Sequence, residues 1–265
     1  MSGWTDAHCH LQGHFLDGAD ESRDLATTLQ RASEAGVGTV IVVGTDAASS
    51  AEALEIASMP APVELYATVG LHPHDAKEDL GPVADLARAG GTRQVAIGEC
   101  GLDYFYEHSP RSRQREVFAS QVALAHELGL ALMIHARDAF DDLLGILASE
   151  GVPERTVIHC FTGTPEDAER CLDAGCDISI SGIVTFKNAE RLREAARLVP
   201  LGRLHVETDS PFLAPTPYRG RPNEPALVAV VGEFLAELRG EDPEALRVAT
   251  SANSARLFGI PVTGS

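Results

Sequence analysis

The stretch "DLATTLQRASEAGVGTVIVVGTDAASSAEALEIAS" (residues 24–58) sets the architecture. Its first part, "DLATTLQRASEAG" (24–36), has helical spacing and ends in Gly, a common helix stop. "TVIVVG" (39–44) is a short run of β-branched residues, the composition of a strand buried on both faces. "AASSAEALEIAS" (47–58) returns to helical spacing. Helix, strand and helix joined by short connections form the repeating unit of a parallel sheet.

The same unit recurs in both directions. Strand-like runs are "GWTDAHC" (3–9), "TVIVVG" (39–44), "ELYATVGLH" (64–72), "QVAIGECGLD" (94–103), "ALMIHARD" (131–138), "TVIHCFTG" (156–163), "DISISGIVTF" (177–186) and "LHVETDSPF" (204–212). Eight such runs in 265 residues predict an α/β fold, a (β/α)8 TIM barrel forming a single domain over residues 1–265. A doubly wound open sheet is the alternative. Helical segments lie between the runs, among them 112–129 and 165–175, the latter with Thr164 placed to cap it and Pro165 in its first turn. Residues 224–259 read as two helices with a break near "GEDPE", and the segments 81–93 and 186–200 are the weakest elements, interrupted by Gly or charge.

Hydrophobic residues make up 44% of the chain, enough for a large core, and no apolar run reaches the ~20 residues that span a bilayer. The start "MSGWTDAHCH" has no basic and apolar leader, so secretion is not expected. The five cysteines, Cys9, Cys100, Cys160, Cys171 and Cys176, form no C-x-x-C pair and are odd in number, which fits reduced thiols in the cytoplasm. A formal net charge of −18 excludes a protein that coats nucleic acid with a broad basic surface. It leaves room for one local cationic cleft, which bound metals would create.

Barrel enzymes gather their chemistry at the carboxyl ends of the strands. The strand ends here carry His8 and His10, His72 and His74, Glu99, His135, His159 and Asp209. Any one of them alone reads as a hydrogen-bonded core residue or a cap. Together at one end of one sheet they bury several titratable groups that only paired charges or a metal would neutralise. His8, His10, His135 and His159 with Glu99 and Asp209 exceed the four ligands of one tetrahedral site, so the expectation is two divalent ions per chain. Period two puts His8 and His10 on the same inner face, with Cys9 turned to the helices; Cys100 and Cys160 follow the same rule. Glu99, on a strand between the others, is the candidate to bridge the ions. Mixed nitrogen and oxygen donors favour Zn, Mn, Co or Fe, with Mg also usable.

In order along the chain, "DAHCHL", "GLHPH", "GECGLDY", "HARDA", "HCFTG", "ETDSPFL" and "RPNEP" resemble the signature blocks of the TatD family of metal-dependent deoxyribonucleases, amidohydrolase-like TIM barrels. The resemblance runs from residue 6 to about 258. It implies His8, His10, Glu99 and Asp209 around a first metal and Glu99, His135 and His159 around a second. It also implies hydrolysis of DNA, as a 3′-5′ exonuclease on single strands, by a monomeric cytoplasmic enzyme without membrane contact. The rival reading is a D-aminoacyl-tRNA deacylase or small-molecule amidohydrolase with the same dinuclear site; a binding protein that has lost catalysis is a third.

Asp209 and Glu99 are the expected catalytic residues. Asp209 would be general base as well as ligand, or ligand alone. Glu207 and Asp6, each two residues before a site residue, are expected to hydrogen-bond ligand histidines or to form internal ion pairs. His72 or His74 would reach the substrate phosphate, or else build a turn around Pro73. Arg137 would fork a phosphate, and Arg219 and Arg221 would track the backbone or be solvated loop charges. Tyr104, Phe105 and Tyr106 would stack a base or pack in the core. Asn223 or Glu224 would cap the helix that follows them.

Overall fold

Strands apolar on both faces are stable only when both faces are covered. The computed structural model, which describes residues 3–16 and 24–262, covers them by curling the sheet on itself inside a ring of helices. In chain order the elements are β1 (Trp4–Cys9), α1 (Gly13–Leu16), α2 (Leu25–Glu34), β2 (Val37–Val43), α3 (Ala47–Ala57), β3 (Glu64–Val69), α4 (Gly81–Ala89), β4 (Gln94–Asp103), α5 (Arg111–Leu128) and β5 (Ala131–Arg137). They continue with α6 (Phe140–Glu150), β6 (Thr156–Ile158), α7 (Pro165–Asp173), β7 (Asp177–Ile180), α8 (Glu190–Leu198), β8 (Leu204–Val206), α9 (Val228–Arg239) and α10 (Pro243–Phe258). The eight strands are parallel and lie in sequence order. The segment after β8 meets β1 through a parallel Cys9–Ser210 bridge, with the Asp209 amide donating to the His8 carbonyl (2.9 Å) and the His10 amide to the Ser210 carbonyl (2.7 Å). That closure decides for the barrel over the open sheet.

Alternation sorts the strand residues into two layers. Val40 and Val42 of β2 and Leu132 and Ile134 of β5 pack outward with the helices. Ile41, Val43 and Met133 face the axis, where Leu257 and Phe258 at the end of α10 join them. Local signals set the helix ends. Thr164 and Asp167 form a reciprocal capping box at α7, as the sequence predicts for Thr164. The weak segments 81–93 and 186–200 do hold helices, α4 and α8. Each buries only a narrow stripe, Val83 and Ala87 in one and Leu192, Ala195 and Ala196 in the other, so their apolar signal is thin. No helix among the described residues is long and apolar enough to cross a membrane.

Two irregularities in this regular frame matter for the site. Between Asp6 and Cys9 three β1 residues span two β2 residues, Val40 to Val42; between Ile97 and Cys100 three β4 residues span two of β5, Leu132 to Ile134. Such bulges re-aim side chains. Here they turn His8 and Glu99 to the axis while Cys9 and Cys100 stay in the outer layer. At the β4 bulge Gly98 has φ +150, and a Cβ there would lie 2.7 Å from the Met133 Cβ, so the position needs glycine.

Candidate metal centre

The strand ends and the loop after β8 bring six predicted ligands to one point. The Glu99 carboxylate stands in the middle, and its two oxygens face different groups. Oε2 looks toward His8 Nε2 (3.4 Å) and His10 Nε2 (3.9 Å), and both of these imidazole nitrogens are 3.6 Å from Asp209 Oδ1. Oε1 looks toward His135 Nδ1 (2.9 Å), His159 Nε2 (2.8 Å) and His72 Nε2 (3.3 Å). Among the described residues, three overlapping triads have donor atoms close enough to hold an ion: His8–Glu99–His159, His8–His10–Asp209 and His72–Glu99–His135. His8, His10, Glu99 and His159 are buried, while His135 and Asp209 border the opening.

The orientation of the rings tests whether this set fits a metal. Three ligand imidazoles turn their far nitrogen to an oxygen acceptor: His10 Nδ1 to the Val43 carbonyl (3.1 Å), His135 Nε2 to Asp103 Oδ2 (3.1 Å) and His159 Nδ1 to Glu207 Oε1 (3.3 Å). His8 Nδ1 faces the weaker acceptor Met133 Sδ (3.1 Å). An acceptor on the far nitrogen draws the proton there and leaves a lone pair on the near one. The near nitrogens of His8 and His10 then face each other at 3.3 Å, while those of His135 and His159, 3.5 Å apart, share Glu99 Oε1 at 2.9 and 2.8 Å. Opposed lone pairs buried at that distance repel, and a shared cation removes the repulsion. The donor set therefore fits divalent ions with borderline nitrogen and oxygen preference.

His72 differs. Its Nδ1 accepts the His74 amide proton (3.1 Å), so the proton of a neutral ring sits on the Nε2 that faces Glu99. Burial pushes this imidazole down to about 4, against the pull of Glu99. His72 is thus arranged as a neutral hydrogen-bond donor.

Both carboxyls of the cluster are held ionised. Burial alone would raise the Glu99 carboxyl, but the imidazoles of His159, His72 and His8 outweigh it and hold Glu99 well below the usual carboxylate range. Burial likewise opposes ionisation of Asp209, and contacts with His10, His8 and His159 lower it. Asp209 has φ +54, a left-handed conformation that Asp tolerates, which turns its side chain into the opening just past β8.

Other predicted residues separate into those that join the site and those that do not. Glu207 reaches a ligand ring as expected: Oε1 faces His159 and accepts the Cys160 amide (2.7 Å). Asp6 meets the expected histidine only through its backbone, accepting the His8 amide (3.4 Å). The β1 bulge carries it off the His8 ring's side, and it instead accepts the Thr208 amide (2.8 Å) and hydroxyl (2.6 Å), clamping β1 to the loop after β8. A cavity of about 460 Å³ opens over the cluster, lined by His72, His74, Arg137, Tyr106, Phe15 and Phe212 among others. Arg137 lies there with its guanidinium carbon over the rings of Phe105 (4.3 Å) and Tyr106 (4.8 Å). Tyr104 is turned away, its hydroxyl donating to Asp142 (2.6 Å) and its ring under Arg111 (4.2 Å). Arg219 stacks on Phe186 (3.7 Å), and Arg221 lines a neighbouring cavity of about 360 Å³.

Sequence reasoning missed one participant and misplaced two. Asp103 bridges His135 and His74, with Oδ2 at 3.1 and 3.0 Å from their Nε2 atoms; an Asp just past a glycine reads as a cap. Asn223 does not cap a helix. Its Nδ2 donates to the carbonyls of Thr208 (2.8 Å) and Phe212 (2.7 Å) and so staples the loop that carries Asp209, while Glu224 pairs with Arg31. A 3-10 turn does start at Pro225, directly after Glu224, and leads into α9, but neither has a side-chain cap. Cys160 also departs from the strand rule. With φ +41 it leaves the outer layer, approaches Ser181 Oγ (3.1 Å) and lines the cavity, whereas Cys9 and Cys100 are fully buried as expected.

Comparison with known proteins agrees with this geometry. The family profile described as TatD related DNase matches residues 5–259. The chain is 43% identical over 258 residues, 97% of this chain and 96% of the relative, to YcfH of Escherichia coli (strain K12), described as an uncharacterized metal-dependent hydrolase. It is 39% identical over 258 residues, 94% of this chain and 98% of the relative, to the 3′-5′ ssDNA/RNA exonuclease TatD of Erwinia billingiae. Its structure is similar to the crystal structure of YjjV, a TatD homolog from Escherichia coli K12, with TM-score 0.88, 33% identity and coverage of 97% of this chain and 98% of that one.

Proposed function

The chain belongs to the TatD-related DNase family of metal-dependent hydrolases, and from that premise we propose that it is a deoxyribonuclease that removes nucleotides from the 3′ end of single strands. The observation that carries the reading is the division of Glu99, whose two oxygens serve two donor sets, one with His8, His10 and Asp209 and one with His135 and His159. Two divalent ions bound there would lower the pKa of water and offset charge on phosphoryl oxygens. The protein's own groups do the rest. Asp209, ionised and at the opening, accepts the proton of the attacking water. Glu207 and Asp103 hold the His159 and His135 rings in place. His72 has one donor, Nε2, turned toward Glu99 in the free protein, and a phosphate oxygen entering the site would recruit it without a positive ring repelling the cations. The chain acts as a monomer in the cytoplasm, where its free thiols stay reduced.

A substrate panel tests this: labelled single-stranded DNA, duplex, RNA, D-aminoacyl-tRNA and simple amides, each with Mg, Mn, Co and Zn. Shortening of single-stranded DNA from its 3′ end, dependent on added ion, is expected. Turnover of amides or aminoacyl esters alone would overturn the reading.

A further inference from the structure

The mouth of the cavity carries little cationic charge. Arg137 is the one Lys or Arg among the described residues that line it, and its guanidinium is already laid against Phe105 and Tyr106. Asp75, Glu99 and Asp209 line the same cavity, and the chain as a whole carries −18. Within this cavity a polyanion meets one fixed cation, Arg137, besides any bound ions.

Aromatic rings are plentiful on the same face. All four exposed aromatic side chains among the described residues, Phe105, Tyr106, Phe212 and Tyr218, follow β4 or β8 at the site end of the barrel. Phe105 is 57% and Phe212 50% exposed, so both rings are open to a planar partner. They follow β4 and β8, which lie opposite each other in the eight-strand order; Phe212 lines the cavity, and Phe105 borders it through Arg137 and Tyr106, which also line it. Arg137 backs Phe105, and Tyr106 meets it edge-on at 89°. Phe212 meets Phe15 at 85° and His10 at 69°, so neither lies parallel over it and a ring face is left for a planar partner.

Resting on the exonuclease reading, we infer that this enzyme holds its strand by the bases, stacked on Phe105 and Phe212 on either side of the scissile phosphate, with no tract of backbone-tracking cations. Every base has a stacking face, so this grip is indifferent to sequence. It requires unpaired bases, because a base inside a duplex already stacks on its neighbours. Selectivity for single strands then follows from the rings and not from the width of the opening.

The test measures KM for a single-stranded oligonucleotide in the metal-loaded enzyme as salt and bases are changed. One phosphate contact predicts about a threefold rise in KM between 50 and 200 mM salt, whereas six backbone contacts would give a rise of a hundredfold or more, roughly. Abasic residues on both sides of the cleaved bond are expected to raise KM about tenfold or more. Phe105→Ala and Phe212→Ala, both exposed and outside the core, should raise KM on the normal strand by a similar factor and change it little on the abasic strand. Equal KM for normal and abasic strands, or a steep salt dependence, would overturn the inference while leaving the nuclease reading intact. Failure to cleave any oligonucleotide would remove both.

Discussion

Two clusters of histidine and aspartate sit at opposite ends of this barrel, and only one of them has the form of a reactive site. At the amino end, His205 Nε2 meets Asp177 Oδ2 (3.0 Å) and His205 Nδ1 meets Ser254 Oγ (3.0 Å). Asp177 is further held by Arg203 and by Arg256 (3.0 Å). The order Ser254–His205–Asp177 is that of a nucleophilic triad, yet Ser254 is 1% and His205 0% exposed, so no substrate reaches them. Both ring nitrogens of His205 are spent on protein partners. At the carboxyl end each candidate ligand ring spends one nitrogen on a protein partner and turns the other toward the shared Glu99–Asp209 centre, which borders the opening. Residue content is alike in the two clusters. What distinguishes a site is lone pairs converging on an accessible point, and barrels place that point at the carboxyl ends of their strands while the amino end serves stability.

Mutating each cluster should give opposite phenotypes. The largest effect is expected from Asp209→Asn. Hydrolysis should fall by about a thousandfold or more, through loss of both proton acceptor and ligand, with little change in melting temperature. Asp177→Asn should do the reverse. It strands a buried imidazole and two guanidinium groups, and should lower unfolding free energy by about 2–4 kcal/mol, the reduction from a fully buried pair reflecting the exposure of Arg256. Denaturant melts together with metal content should show lost stability and retained ions. If D177N lost its metals as well, the two ends would be coupled and the contrast would break.

Asp103→Asn is expected to act between these extremes. It removes the acceptor that orients His135, and metal affinity should fall about ten- to a hundredfold on competition with a chelator, without unfolding. The smallest effect is in pH dependence. Burial would raise Asp177, but His205 and Arg203 outweigh it and lower it below its ordinary value of 3.8. Its contribution is therefore complete above that value and is lost as pH falls through the lower folded value. The stability difference between wild type and D177N should be constant near neutrality and shrink in acid below about pH 4. A difference that widened in acid would contradict the assignment.

How much of this was legible in the sequence depended on the strands. Eight apolar runs with histidines and carboxylates at their ends are enough to indicate the barrel and the ligand set, because buried His, Glu and Asp are rare unless employed. The bulges in β1 and β4 were not read. Each shifts register by one residue, which reverses the side a neighbour faces; Gly98 marks the one in β4, whereas no residue type announces the one in β1. Asp6 therefore looked like a partner of the His8 ring and is a clamp on Thr208. Beyond a strand end no period remains, so Tyr104, Phe105 and Tyr106 could not be ranked, nor Cys160 placed. Asn223 serves a loop that precedes it by more than ten residues, a relation local signals do not carry.

The contrast between the two clusters rests on the claim that the upper one is completed by ions. Counting divalent metal in purified, reconstituted and extensively dialysed protein tests it most directly, with the Glu99→Gln variant prepared in parallel. The account predicts about two ions per chain in the wild type, carried by two donor sets that share one carboxylate, and a sharp loss in the variant. A wild-type chain that retains no metal after reconstitution, or a variant that binds as many ions as the wild type, would contradict it.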